Sequence, residues 1–556
     1  MTDLQDKLKR LEPDYNPDLK LLLVPNKKTY HTALKMETHP FLHGIYESSV
    51  YALNLLDSGI DRYADRAAEI LDVVSGLQDR DPASPTYGVW PYFYEESLQQ
   101  MDIPDWNFAD FIGKKIVLAI KRHRDRLPPA LLSELFSAVS NACAAIIKRD
   151  VGPGYTNIAV MGAFVTLVGG EAIEEASIAE YGLNRIKRLY DYTMRLGTFT
   201  EYNSPHYLPI TIEELHHIYT ETGSPEAVKL TGELIRLAWE TIAKHYHPRT
   251  GQWSGPHSRS YATMLEPERK EYQFLKEAIG DHSRPDAIRC PDDLLHYFNQ
   301  EEERHIQAAI LDQEEAGYQC YATTFICEAF SLGTFTKEIM WNQRRNLIAY
   351  IDNHGKPAYV HLRFIKDGRD CSSAIFTGVQ DNGYVLYGIN IATDYGDWHP
   401  VLDPINGCFE AEDLRIRLEI GGAVDGVEWS AEDACGFDAA ITIGGQVLRI
   451  KQAAAASDLG VPAFTVSRSA ESQVIGVDYI IYSGLKTNFN FHDWDRAAWV
   501  YLLSLSESCE VVRTDVHTHN GVLTASCGEL DRQIGISLLT KPAGVKALLQ
   551  GNQIRF

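Results

Sequence analysis

Residues 197–210, GTFTEYNSPHYLPI, crowd Glu201, Tyr202, Asn203, His206 and Tyr207 into one short segment directly after a helical run that ends near Leu196. Pro205 and Pro209 are expected to keep the segment out of regular helix, so that turns hold its polar side chains. A second stretch of the same kind, residues 251–261, GQWSGPHSRSY, follows the next long helices. Two irregular, Gly/Pro-punctuated segments carrying His, Tyr, Asn and Arg after long helices predict the lip of a pocket.

Upstream of these segments the apolar residues step at three to four: Tyr46, Val50, Leu53 and Leu56, then Ala64, Ala68, Ile70 and Val73. Further helices are expected to about His123 from Asp105, then over 129–148, 157–167, 171–196, 211–222 and 225–245, with Gly223 capping between the last two. The helix pairs recur without a strict sequence repeat, which disfavours a solenoid. An (α/α) toroid of antiparallel pairs, incomplete or with six hairpins, fits better. Beyond Asn346 the period changes to two, in AYVHLRFIKDG, YVLYGINIAT, DLRIRLEI and AAITIGGQVLRI, with turn signals DNHG, KDGR and DNGY between. The predicted class is therefore α+β and multidomain. It comprises an N-terminal arm over 1–40, a toroid catalytic domain over 41–340 and an antiparallel β-sandwich over 341–556. A helix is expected over 292–311 inside the mixed region before the boundary.

The chain has 556 residues and a formal net charge of -24, which argues against nucleic acid, whose phosphates need a basic footprint. A local Arg/His pocket can still take an anionic small substrate. Twenty-nine Tyr, 20 Phe and 9 Trp offer stacking surfaces of the kind carbohydrate-active proteins use, and Trp90 and Trp253, in loop segments, are the candidate platforms. The nine cysteines are scattered with no CxxC pair, as reduced core thiols would be. No metal site or cofactor is expected, because GxGxxG, Walker, GxSxG and HExxH patterns are missing. The first residues hold no apolar leader-like run, and no 18 apolar residues run together, so no membrane segment and a cytoplasmic location are expected.

Three groups carry the chemistry. Asn157 lies in GPGYTNIAV; Glu201, Asn203, His206 and Tyr207 lie in 197–210; His257, Arg259 and Tyr261 lie in GPHSRSY. β-Elimination from a uronic acid needs a donor on the C5 carboxylate, a base for the C5 proton and an acid for the leaving oxygen. Asn, Arg and His suit the first role, Tyr and His the others. A tyrosine used as base must ionise, which a nearby Arg⁺ such as Arg259 favours; Arg259 could equally clamp the carboxylate. His399, in DYGDWHPVLDP, is a further candidate from the β half. Each has a bland alternative: Asn157 as a helix cap, Tyr207 as a packed ring, His399 as a loop anchor.

The pattern GTFTEYNSPHY resembles the Gly-x-x-x-Glu-x-Ser-Pro-x-Tyr motif of heparinase II/III-like and related alginate polysaccharide lyases, at Gly197, Glu201, Ser204, Pro205 and Tyr207. A toroid followed by an antiparallel β domain is also similar to that family. The resemblance implies proton transfer by Tyr207, neutralisation of the uronate by Asn157 and a histidine that completes the site. The family's Asn-His pair reads Asn157-Ile158 here and its Asp-Gly-Ser opening reads Leu196-Gly197-Thr198, so the histidine would come from His206, His257 or His399.

The expected function is a lyase cleaving acidic, uronate-containing oligosaccharides. Tyr207, His257, Asn157, His206 and Tyr261 would be catalytic, and Arg259, Asn203, Glu201, Trp90, Trp253 and His399 would bind substrate. Two alternatives stand beside it: a glycoside hydrolase of the same architecture using Glu95, Asp105, Asp110 or Glu201, and a non-catalytic sugar-binding protein. Association into a homo-oligomer is left open.

Overall fold

The three-to-four spacing upstream of residue 245 does build helices: Ile45–Asp57, Ala64–Gly76, Phe108–His123, Pro129–Arg149, Thr156–Ala172, Ala176–Leu196, Tyr207–Glu221 and Pro225–His245. The computed structural model describes residues 2–27, 31–280, 287–431, 433, 435–508, 512–528 and 533–556. The chain forms two units, one of residues 1–195 with 210–235 and one of residues 196–209 with 236–556.

In the first unit, Ile45–Asp57 packs on Ala64–Gly76 and Phe108–His123, and Phe108–His123 packs in turn on Pro129–Arg149 and Thr156–Ala172. Thr156–Ala172 is apolar all round and buried on every side, as a central helix must be. Close approach to the next helix needs glycine. A Cβ on Gly182 would lie 2.2 Å from the Leu167 backbone, and one on Gly170 would lie 2.5 Å from that of Ala179. The expected helix over 171–196 is shorter, because Glu174 takes a left-handed φ of 63° and the helix restarts at Ala176. The expected arm over 1–40 contains regular structure. Thr2–Leu11 is helical, and the strands Tyr15–Asn16, Leu21–Pro25 and Phe41–Gly44 form a small antiparallel sheet. Pro129–Arg149 has the length and mean hydropathy (1.6) to cross a membrane. Here its apolar stripe, Leu131, Leu135, Ala138, Val139, Ala142 and Ile146, is buried among the neighbouring helices.

In the second unit the period-two segments pair as antiparallel sheets. Lys356–Lys366 runs against Cys408–Gly422 in a register that sets Val360 opposite Ile420, Leu362 opposite Leu418 and Phe364 opposite Ile416. These side chains point one way, into a core shared with Phe376, Leu448, Trp499 and Leu503 of a second, seven-stranded sheet. The two sheets thus make the expected sandwich. A four-stranded sheet covers the outer face of the second through Leu523, Ala525, Ile536 and Leu538. The helix expected over 292–311 is corrected. A 3-10 turn spans Asp292–Phe298, and Arg304–Ala309 is a strand paired with Tyr321–Ile326, tertiary pairing having overridden local preference. The larger sheet therefore begins at Arg304, upstream of the boundary expected near residue 340.

Seven described cysteines are free, and Cys143, Cys290, Cys320, Cys371 and Cys527 among them are buried. Cys435 is disulfide-bonded, which corrects the expectation of uniformly reduced thiols.

Candidate functional site

Ser204 explains how the first stretch is shaped. Its Oγ accepts from the Tyr207 N–H at 3.0 Å and its carbonyl from the Leu208 N–H at 3.0 Å, the pattern of a helix N-cap. Pro205 follows at the position where a missing N–H costs nothing. The prolines therefore open the helix Tyr207–Glu221, with Pro209 in its first turn, and the expectation that they exclude helix is corrected. The Ser204 hydroxyl also donates to the Arg259 carbonyl at 2.6 Å, which ties the first stretch to the second.

Further bonds lace the two together. The Ser258 N–H and Oγ both donate to the Tyr202 carbonyl, at 3.1 and 2.9 Å. Asn203, at a left-handed φ of 46°, donates from Nδ2 to the carbonyls of Ser254 and Pro256 and accepts at Oδ1 from Trp253 Nε1. The second stretch lies directly on the larger sheet: the Gly255 carbonyl accepts from Thr324 Oγ1 at 2.7 Å, and a Cβ on Gly333 would lie 1.9 Å from that oxygen.

On this frame stands a polar cluster that belongs wholly to the second unit. Arg259 Nη2 donates to the Tyr207 hydroxyl at 3.0 Å and to the Tyr261 hydroxyl at 3.3 Å, and the two hydroxyls lie 2.9 Å apart. Arg259 Nε donates to Gln343 Oε1 at 2.9 Å, and Nη1 lies 3.7 Å from Glu201. The guanidinium sits between two rings, 4.7 Å from the Tyr207 centroid and 4.9 Å from that of Trp341. His206 packs edge-on against Tyr207 and Tyr261, with ring centroids 4.9 and 4.7 Å away, and its Nδ1 lies 2.7 Å from Glu271 Oε1. Tyr261 is 51% exposed, so the cluster opens to solvent.

Burial pushes the Tyr207 phenol above its ordinary range, against the lowering pull of Arg259. It is a proton donor at neutral pH. Burial would lower Arg259, but Tyr207, Tyr261 and Glu201 together carry it upward, so the cation persists. Glu271 is held below the usual range, chiefly by its hydrogen bond with His206.

Several expected site residues stand elsewhere. His257 is 1% exposed, its Nδ1 donates to the Asn203 carbonyl at 2.7 Å, and burial lowers it to about 3. It is a neutral packing group, which corrects its expected catalytic role. Asn203 and Trp253 spend their polar atoms on each other and on the loop and are buried, so neither offers a surface to a sugar. Trp90, in the first unit, is sealed, with Nε1 donating to the Val74 carbonyl at 2.8 Å, and is likewise not a platform. His399 accepts at Nδ1 from the N–H groups of Val401 and Leu402 and packs against Trp341 at 5.6 Å, a loop anchor behind Arg259. Asn157, in the first unit, is buried in the opening turn of Thr156–Ala172.

Three carboxylates of the hydrolase alternative are held by partners. Glu95 binds His43 at 2.6 Å, Asp105 accepts from Tyr92 and from the Asn107 N–H, and Glu201 pairs with Arg259. Burial raises Asp110 to about 7, against Arg185 and Arg149. Among the described residues no group of three His, Cys, Asp or Glu side chains is placed to hold a metal. Sequence reasoning missed Glu271, Gln343 and Trp341. Glu271 sits in the charged run 266–277, where a solvated helix face is the default, and only its partner His206 distinguishes it.

A domain of unknown function (DUF8769) matches residues 24–274. No curated protein sequence matches the chain. Among solved structures it is similar to the chondroitin AC lyase of Streptomyces coelicolor A3, at 10% identity and a TM-score of 0.47 over 97% of this chain and 84% of that one. It is also similar to a heparinase III, at 10% identity and 0.36 over 88% and 83%. The heparan sulfate lyase HepC of Pedobacter heparinus gives 9% identity and 0.35 over 99% and 93%.

Proposed function

We propose that the protein is a lyase that cleaves uronate-containing oligosaccharides by β-elimination, and that the reaction is run by Arg259, Tyr207, Tyr261 and His206. The observation that carries this reading is one guanidinium donating to two phenol hydroxyls that touch each other. Such a group can bind the C5 carboxylate through its charge and stabilise whichever phenolate forms. A base, His206 Nε2, takes the C5 proton; the electron pair forms the C4–C5 double bond as the C4–O bond breaks. The leaving oxygen takes its proton from Tyr207, which is reprotonated by Tyr261 along the hydroxyl pair; Tyr261, open to solvent, regains its proton from water, and His206 gives the C5 proton up to water. Every group in this scheme belongs to the second unit. Closure of the helical half into an (α/α) toroid is part of the same reading and follows from the helix pairing in the sequence.

Incubation with a panel of uronate oligosaccharides should generate the ultraviolet absorbance of a conjugated unsaturated uronate. Tyr207→Phe should lower kcat about 10²- to 10⁴-fold, the range for a general acid, with circular dichroism unchanged. Undiminished turnover in that variant would remove Tyr207 from the chemistry.

A further inference from the structure

The carboxylate of Glu271 lies 2.7 Å from His206 Nδ1, in the first turn of the helix Lys270–Ile279. Among the described residues this is the hydrogen bond His206 makes, and both partners are partly buried, at 33% and 15% side-chain exposure. We propose that Glu271 is a positioning residue that fixes His206 in the Nδ1–H tautomer, leaving Nε2 as the nitrogen that accepts the substrate proton. This rests on the lyase reading above and assigns the group that prepares its base.

The tautomer follows from the partner. An ionised carboxylate is acceptor-only, so the proton shared at 2.7 Å must sit on Nδ1, and the neutral ring then carries its lone pair at Nε2. Glu271 stays ionised because His206 and the neighbouring Arg269 hold it so. The ring is held from both sides as well, edge-on to Tyr207 and to Tyr261. A flip of the ring about Cβ–Cγ would break the carboxylate contact. Of the other acid–imidazole pairs among the described residues, Glu95–His43, Asp57–His123 and Glu303–His305 have no phenol against the ring among the contacts described, and His31, which packs on Tyr92, lies 3.9 Å from its acid Asp105.

Glu271 acts through His206, not on the sugar. The cavity next to the pair, lined by His206, Tyr261, Arg269, Glu271, Trp253 and Tyr350, holds only about 20 Å³. That is room for one water and no monosaccharide. The same economy explains why a residue in a charged helical run is worth holding at 15% exposure.

The test pairs nitrogen NMR with kinetics on the full-length protein, the His206 signals being assigned by loss in His206→Gln. In the wild type, with the ring neutral, Nδ1 should show a protonated and Nε2 an unprotonated resonance. In Glu271→Gln, whose amide can donate as well as accept, the ring should lose that single state. kcat on the cleaved uronate oligosaccharide should then fall about 10²-fold, with KM changed less than about threefold. Glu271→Ala, read by the same spectrum, guards against an amide that happens to accept. An Nε2–H tautomer in the wild type, or an unchanged kcat in both variants, overturns the assignment. If no uronate is cleaved at all, the lyase reading falls, while an Nδ1–H ring released in Glu271→Ala still upholds the dyad.

Discussion

His257 and Tyr207 show how far the identity of a side chain can mislead and how far it can guide. Both looked like site residues in loops rich in polar groups, yet one is a sealed imidazole and the other a partly buried phenol on a cation. The sealing has a measurable consequence. Burial lowers His257 to about 3, and His245 and His247 to about 4, all below the ordinary histidine range. Below the unfolded value the unfolded chain binds protons that the folded chain refuses. Their contribution to stability is thus intact above that pH and is lost as pH falls towards the folded values. Each histidine should cost about 1.4 kcal/mol per pH unit in that window. His257→Asn keeps a donor for the Asn203 carbonyl and removes the titration, so its urea-unfolding stability should fall less steeply from about pH 6 to pH 4. Slopes identical to wild type would show that His257 can be protonated in place.

Of the elements, the helix Tyr207–Glu221 was the most informative and the most misread. The Ser-Pro pair was legible as a break in helix, but its meaning depends on which side of the break the helix lies. In sequence a proline ends one helix as readily as it begins another. Here Ser204 caps the following helix and at the same time bonds to the Arg259 carbonyl, so one hydroxyl sets both stretches. Ser204→Ala should cost about 1–2 kcal/mol, a lost cap together with a lost tie. It should also lower lyase activity through misplacement of Tyr207 against Arg259. Stability within experimental error of wild type would contradict the cap. The strands were legible for a simpler reason. Alternation such as Val360, Leu362 and Phe364 against His361 and Arg363 repeats without interruption and needs no partner to be seen. Arg304–Ala309 lacked that clarity, because its neighbours EEER and its alternation pattern are weak; its strand state comes from pairing with Tyr321–Ile326.

Taken as a whole, the chain is not divided where its period changes. Residues 196–209 belong with the β-rich unit although helices of the other unit flank them in sequence. The reason is packing. Tyr202 is 2% exposed in a cluster with Ile310, Cys320, Ala322 and Phe335, and its hydroxyl donates to His245 Nε2 at 2.9 Å. Long-range packing of this kind leaves no periodic trace, which is why a boundary near 340 suggested itself. A fragment of residues 236–556 should therefore unfold at lower denaturant than the same region in the full chain, since Tyr202 and the Asn203 ties are removed with 196–209. Equal midpoints would mean that the segment is an ornament on the second unit. The polar cluster, by contrast, was partly legible. Tyr207, Arg259 and Tyr261 were all named from residue type and spacing, but the carboxylate that faces His206 was not, because spacing cannot reveal a partner from another element.

The central claim is that the Arg259-held phenols break a C4–O bond by elimination, which adds no water to the product. Turnover of a uronate oligosaccharide in water labelled with heavy oxygen, read by mass spectrometry, tests this directly. The account predicts an unsaturated product carrying none of the label, lost in Tyr207→Phe. A saturated product with one labelled oxygen at the cleaved bond would show hydrolysis and contradict it.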